Sequence, residues 1–429
     1  MESRLERHRK SKPQRQQGEF REKTPVKVFL SLTLAAAACF AVGVGAAYVT
    51  SRTDPAVQLE AASSSEPRSA SSTTPASQAG TSGTVSPEPS VNSSAVTPAS
   101  SKASSENSAS AAGDGTVKLD FVGDVIMAGN VEDILLKQGY DYPYTNVKDI
   151  WTNADYTIAN LETPVTTRGT AQSKEYVYRS SPDALPELKA AGVDLVNLAN
   201  NHIMDYGQDG LFDTMEVLDK LDIKRVGAGK NTQEAYEPVI VEKQGIKIAF
   251  LGFSRVVPDA SWKAGADHAG VAETYSYLMP VEAVQKAKQQ ADLVVVLAHW
   301  GTEREDNPDK NQKELAHRYI DAGADLIVGG HPHVLQGFEN YKGKWIAYSM
   351  GNFIFTTNGN SKTWDSGILE ASCSKDQQCD IQLVPILTKG ALPTPMNAED
   401  GSKLFERLTK ISKAFNVKVD EQGHILQTK

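Results

Sequence analysis

The chain is poor in cysteine, carries no surplus of basic charge and shows no internal repeat. Three cysteines in 429 residues are too few for a structural Cys-zinc site to organise the fold. A formal net charge of -9 and a pI near 5.5 argue against nucleic acid as the main partner, because a phosphate backbone calls for a basic surface. The lack of a period of roughly 20–50 residues removes solenoids and propellers from consideration. Large apolar residues are nearly missing from Ser51 to about Gly115, where Ser, Ala, Thr and Pro dominate. Such a segment cannot bury enough surface to offset the entropy of ordering, so residues 50–115 are expected to be a flexible stalk.

What precedes the stalk has the opposite character. Residues 1–27 are rich in Arg and Lys, and an uncharged apolar stretch follows from Val28 to Val49. At roughly 20 residues that stretch can cross a bilayer as a helix. It exceeds the roughly 7–15 residues usual for the apolar part of a cleaved signal, so an uncleaved anchor is expected. Basic residues before it and almost none just after it place the N-terminus in the cytoplasm and the rest of the chain outside. Cys39 falls in the span. Cys373 and Cys379 would then face an oxidising exterior, where they could close a hairpin disulfide or remain apart.

From Thr116 onward, short apolar runs rich in β-branched residues alternate with helical patterns, which predicts an α/β fold. Runs such as Val117–Val122, Tyr156–Leu161, Asp292–Ala298 and Asp325–Val328 read as strands buried on both faces. Helices are predicted after Ser181, over Gln208–Leu221 and Pro280–Gln290, and from Asp309 to Ala322 with a glycine stop at Gly323. Gly367–Ala371 and Ile381–Ile386 have no helix between them and suggest a hairpin. Residues 116–360 are expected to form the main domain, with 361–429 completing it or appended to it.

Polar clusters stand at the ends of these runs, where open α/β sheets place their ligand-binding loops. Asp124 follows the first run and Glu162 the second. Asn200-Asn201-His202 ends a third, with Asp205 three residues on. His299 closes another, and Gly330-His331-Pro332-His333 yet another. An amide oxygen at Asn201 could ligate a metal while His202 gives or takes a proton, oriented by Asp205. Two histidines one residue apart, on a loop restricted by Pro332, can reach one metal pair. Oxygen and nitrogen donors without cysteine suit one or two divalent ions of Mn, Fe, Zn or Mg.

The ordered set Gly123-Asp124-Val125, Asn160-Leu161-Glu162, Asn197 to His202 with Asp205-Tyr206-Gly207, His299-Trp300-Gly301, Gly329 to Gln336 and Tyr348 to Ile354 resembles the CapA family, also called PgsA, of capsule and poly-γ-glutamate biosynthesis. The resemblance spans about Val117 to Phe355 and implies a calcineurin-like metallophosphoesterase fold: a two-sheet β-sandwich flanked by helices. It implies Asp124, Glu162, Asn201, His299, His331 and His333 as metal ligands, with His202 as the catalytic histidine and Asp205 its partner. Two positions depart from the phosphoesterase pattern. Ile126 stands where a ligand histidine is expected, and Glu162 where the bridging aspartate is expected, which leaves a two-metal, a single-metal and an inactive site all open.

The resemblance further implies a membrane-anchored extracellular protein working with membrane synthase and export subunits on an anionic polymer such as poly-γ-glutamate. A metal-dependent phosphoesterase or other hydrolase, and a non-catalytic polymer-binding scaffold, are the alternatives. Arg168, Lys174, Arg179 and Arg255 are basic candidates for contact with an acidic polymer.

Overall fold

The computed structural model describes residues 115–356 and 359–429. The basic tail, the apolar stretch Val28–Val49 and the stalk as far as residue 114 lie outside the described residues. None of the described helices is long and apolar enough to cross a membrane.

In chain order the main strands are β1 (Thr116–Val125), β2 (Tyr156–Leu161), β3 (Leu195–Asn197), β4 (Lys224–Val226), β5 (Val239–Lys243), β6 (Ile246–Ser254), β7 (Leu293–His299), β8 (Leu326–Gly330), β9 (Phe338–Tyr341), β10 (Lys344–Ala347), β11 (Asn352–Ile354), β12 (Asp365–Ser374), β13 (Cys379–Lys389) and β14 (Leu392–Pro395). They form two sheets. One runs β14-β13-β12-β1-β2-β3-β4, with β11 also paired to β1; the other runs β9-β10-β8-β7-β6-β5. Strands β1 to β4 are mutually parallel, as are β6, β7, β8 and β10, so their carboxyl ends gather at one rim of each sheet.

Three apolar cores separate the layers. Phe121, Ile158, Leu195, Phe250, Val295 and Val328 fill the space between the sheets. Val122, Ala159 and Val196, on the other face of the first sheet, pack with residues of α1 (Asn130–Gln138), α2 (Leu185–Ala190) and α3 (Gly207–Lys220). Ala249, Val294 and Ile327, on the outer face of the second sheet, pack under α4 (Leu278–Lys288) and α5 (Lys310–Ala322). Strands β1, β7 and β8 are therefore apolar at successive positions rather than alternating, because both of their faces are covered.

Local signals set the helix ends. Asp309 and Gln312 form a reciprocal capping box at the start of α5, and Gly323 ends it at φ 119°. The predicted cap at Ser181 accepts from the Asp183 N–H. Strands β12 and β13 are the expected hairpin, and β12 pairs directly with β1. The segment after residue 360 thus supplies three strands of the first sheet. Its helix, Ala398–Ser412, adds Leu404, Phe405 and Leu408 to the core between the sheets. Cys373 and Cys379 are register partners and are joined by a disulfide. At Gly123, a Cβ would stand 2.0 Å from the Gly351 carbonyl oxygen, so only glycine allows the β1 backbone to lie this close to the chain entering β11.

Candidate metal centre

The rim formed by the carboxyl ends of β1, β2, β3, β7 and β8 carries the polar clusters. Asp124 lies inside β1, one residue before its end, between Asn160 of β2 and Asn352 of β11. The register of β1 shifts next to it, a bulge of the kind that re-aims side chains at sheet rims. Gly330 leaves room for its carboxylate: a Cβ there would lie 2.6 Å from Asp124 Oδ1. Glu162 follows β2 and is fully buried, its N–H donating to the Val125 carbonyl at 3.0 Å.

The turn after β3 is fixed by Asn200. Its Oδ1 accepts from the N–H groups of His202 and Ile203, at 3.2 and 2.9 Å, and its Nδ2 donates to the Leu161 carbonyl at 2.8 Å. This locks the segment bearing Asn201 and His202 to the end of β2. On the loop after β8, His331 and His333 have φ of 94° and 57°, left-handed conformations that cost of order 1–3 kcal/mol each and persist where surroundings over-determine them. Asp124 Oδ2 accepts from the His331 N–H at 3.2 Å, and the Pro332 carbonyl accepts from the Arg304 N–H at 2.8 Å.

Asp124, Glu162, Asn201, His299, His331 and His333 consequently converge. Asn201 Oδ1 lies 2.7 Å from His299 Nε2, and Glu162 Oε1 lies 3.4 Å from the same nitrogen. His333 Nδ1 is 2.9 Å from Asn352 Oδ1 and 3.2 Å from Asp124 Oδ2. The ring centres of His299 and His331 are 4.8 Å apart, and those of His331 and His333 5.8 Å. Three donor sets overlap, each with its ligand atoms within 4.8 Å of one another: Glu162, His299 and His331; Asp124, Glu162 and His333; and Glu303, His331 and His333.

The charges are ill at ease without a cation. Burial and the neighbouring Asp124 push the Glu162 carboxyl well above the usual carboxylate range. Burial depresses His299 to about 3, and burial with the adjacent His299 and His333 depresses His331 as well. At His333 burial works downward but is outweighed by Asp124 and Glu162, which raise it to about 9. At Asp124 burial works upward but is outweighed by contact with His333 and the nearby His299, which hold the carboxyl below its ordinary range. Both Glu162 oxygens and His331 Nδ1 are buried without a hydrogen-bond partner among the described residues. A native interior rarely leaves such groups orphaned. A divalent ion would satisfy them, so the donor set fits a metal.

His202 sits beside this cluster. Its Nδ1 lies 2.8 Å from Asp205 Oδ2, and its ring packs on Tyr178 with centres 4.8 Å apart. Burial lowers its basicity against the opposing pull of Asp205. A carboxylate on Nδ1 fixes the ring's orientation and tautomer and leaves Nε2 for proton transfer. Lys174 Nζ completes the arrangement, 2.7 Å from Asp205 Oδ1, 2.7 Å from the Asn201 carbonyl and 3.0 Å from His202 Nδ1. Next to the centre, Ile126, Tyr178 and Phe355 help line a cavity of about 160 Å³. Ile126 thus turns an expected ligand position into an apolar wall.

Of the basic candidates, Lys174 belongs to the centre. Arg168 instead pairs with Asp213, while Arg179 and Arg255 lie over Tyr206 and Tyr275. Sequence reasoning missed Glu303 as a donor, although it stands four residues after His299. It also assigned no role to Asn160, whose Nδ2 donates to Asp124 Oδ1 at 2.8 Å and lies 3.2 Å from His299 Nδ1, tying the two sheets together.

The family model described as "Bacterial capsule synthesis protein PGA_cap" matches residues 118–357. This chain belongs to that family. It is 33% identical over 301 residues to the capsule biosynthesis protein CapA of Bacillus anthracis, covering 68% of this chain and 72% of that one. It is 34% identical over 304 residues to the PGA biosynthesis protein CapA of Bacillus subtilis (strain 168), covering 70% and 79%. A solved structure of TT1561 from Thermus thermophilus superposes over 62% of this chain and 99% of that one, with a TM-score of 0.36 and 12% identity. The family match takes in every residue of the donor cluster.

Proposed function

We propose that this protein is a metal-binding, membrane-anchored component of capsule or poly-γ-glutamate biosynthesis that acts outside the cell on the polymer or its assembly machinery. The observation that carries the reading is the buried cluster of Asp124, Glu162, Asn201, His299, His331 and His333, with three donor atoms lacking any other partner, in a chain of the capsule synthesis family. The basic tail and apolar stretch of the sequence support anchoring with the N-terminus inside. The Cys373–Cys379 bridge suits an oxidising exterior. Membrane synthase and export subunits and an anionic polymer are the partners this role calls for.

Catalysis is a second reading, favoured by His202 and Asp205. A bound divalent ion supplies charge neutralisation and Lewis acidity. His202, held through Nδ1 by Asp205, moves a proton at Nε2, and Lys174 holds Asp205 in place. Tyr178 and Phe355 shelter the neighbouring cavity from water. Such a site would act as a metallophosphoesterase-like hydrolase with a phosphoester or another hydrolysable bond as substrate.

Elemental mass spectrometry of the purified full-length protein, beside a His331→Ala, His333→Ala double variant, tests the metal. One or two divalent ions per chain, lost in the variant, are expected. A folded wild type that stays empty after incubation with Mn, Fe, Zn and Mg salts would overturn it. Deleting the gene should remove surface polymer, and unchanged polymer would overturn the biosynthetic role. Wild type restoring the polymer while His202→Ala does not would favour catalysis over a scaffold.

A further inference from the structure

The tract that leaves β7 reads His299-Trp300-Gly301-Thr302-Glu303-Arg304 and turns sharply, with Gly301 at φ 91° and Arg304 at φ 66°. The Arg304 N–H donates to the Pro332 carbonyl at 2.8 Å, which lays this turn against the loop bearing His331 and His333. The Glu303 carboxylate is thereby brought within 4.8 Å of a ring nitrogen of each. Glu303 is exposed and makes no hydrogen bond or ion pair among the described residues. Nothing in the fold requires a carboxylate there.

The donor sets give it a use. His331 groups with Glu162 and His299, and His333 groups with Asp124 and Glu162. Glu162 belongs to both sets and is fully buried. Glu303 meets one histidine of each set and is open to solvent. The Asp124 set has only three such donors, because Ile126, 3% exposed, offers none where a histidine could have stood.

We propose that Glu303 is a further metal ligand, which closes the centre from the solvent side opposite Glu162 and makes up for the donor missing at Ile126. This rests on the metal-binding reading above. Two carboxylates and a histidine pair between them form a hard oxygen and nitrogen set suited to a divalent ion. An exposed ligand can also leave the ion, which would open a position for substrate without dismantling the buried donors.

Calorimetric titration of the metal-free full-length protein with MnCl2 tests this, comparing wild type with Glu303→Gln and Glu303→Asp. Glu303→Gln is expected to weaken Mn²⁺ binding by roughly 10- to 100-fold. Glu303→Asp should fall between it and wild type. The melting temperature of metal-free Glu303→Gln should match wild type, because no partner is lost. Equal affinity in wild type and Glu303→Gln would overturn the proposal and leave the metal reading standing. No Mn²⁺ uptake by wild type would overturn both. Weakened binding accompanied by a less stable metal-free protein would assign Glu303 to the fold and overturn the proposal.

Discussion

Replacing Glu162 by glutamine should change stability in opposite directions with and without a divalent ion. Both carboxylate oxygens are buried with no hydrogen bond, and burial together with Asp124 disfavours the charged form. A buried unsatisfied polar group costs about 1–3 kcal/mol. Glutamine keeps the shape and removes the ionisable charge, so metal-free Glu162→Gln should gain about 1–2 kcal/mol. For a domain of this size, 1 kcal/mol corresponds to about 2–4 °C in melting temperature. Wild type held at a Mn²⁺ concentration 100-fold above its dissociation constant should gain about 2.7 kcal/mol. Glu162→Gln lacks the carboxylate shared by two donor sets and should keep little of that gain. The order of melting temperatures should therefore reverse between EDTA and saturating MnCl2, as followed by circular dichroism. A variant less stable than wild type in EDTA, or stabilised by Mn²⁺ as much as wild type, would refute the reasoning.

Away from the centre, Asp120 of β1 is buried opposite Glu370 of β12, and burial followed by Glu370 raises its carboxyl from 3.8 to about 7. Folding favours its protonated form, so its penalty is absent below about pH 4 and complete above about pH 7; at about 1.4 kcal/mol per tenfold, Asp120→Asn should gain up to about 4 kcal/mol at pH 8 and almost nothing at pH 4. Urea unfolding at the two pH values checks this, and a difference independent of pH would count against it. Gly123→Ala drives a Cβ into the Gly351 carbonyl and should cost about 3 kcal/mol or more; it should also weaken Mn²⁺ binding by displacing Asp124, measurable by calorimetry. Reducing the Cys373–Cys379 bridge, which closes a loop with a sequence separation of 6, should cost about 2 kcal/mol in thermal unfolding. It should leave metal affinity unchanged, because the hairpin keeps its ladder from Asp365 to Cys373.

Much of the fold could be read from periodicity and punctuation. The run Tyr156–Leu161 is a strand with those very ends, and the stop at Gly323 closes α5 where the pattern placed it. Short elements escaped, among them β4, β5, β11 and α1. Their stability comes from partners distant in sequence: β11 exists because Asn352 and Ile354 pair with Asp124 and Val125. Asp124 was expected just past its strand and lies within it for the same reason.

The sequence by itself determined which donor types are present and that each stands where an apolar run ends. Strand-end chemistry is local, and a run of residues buried on both faces can only be followed by polar groups at a rim. Only the tertiary structure decided that the rims of two sheets meet, that Glu162 and His331 are left with orphaned donors, and that Glu303 and Lys174 join them. Those facts depend on pairings such as Arg304 with Pro332 and Asn160 with Asp124, between residues far apart in the chain. The apolar fill between the sheets sets their positions, and no local pattern encodes the distance across it.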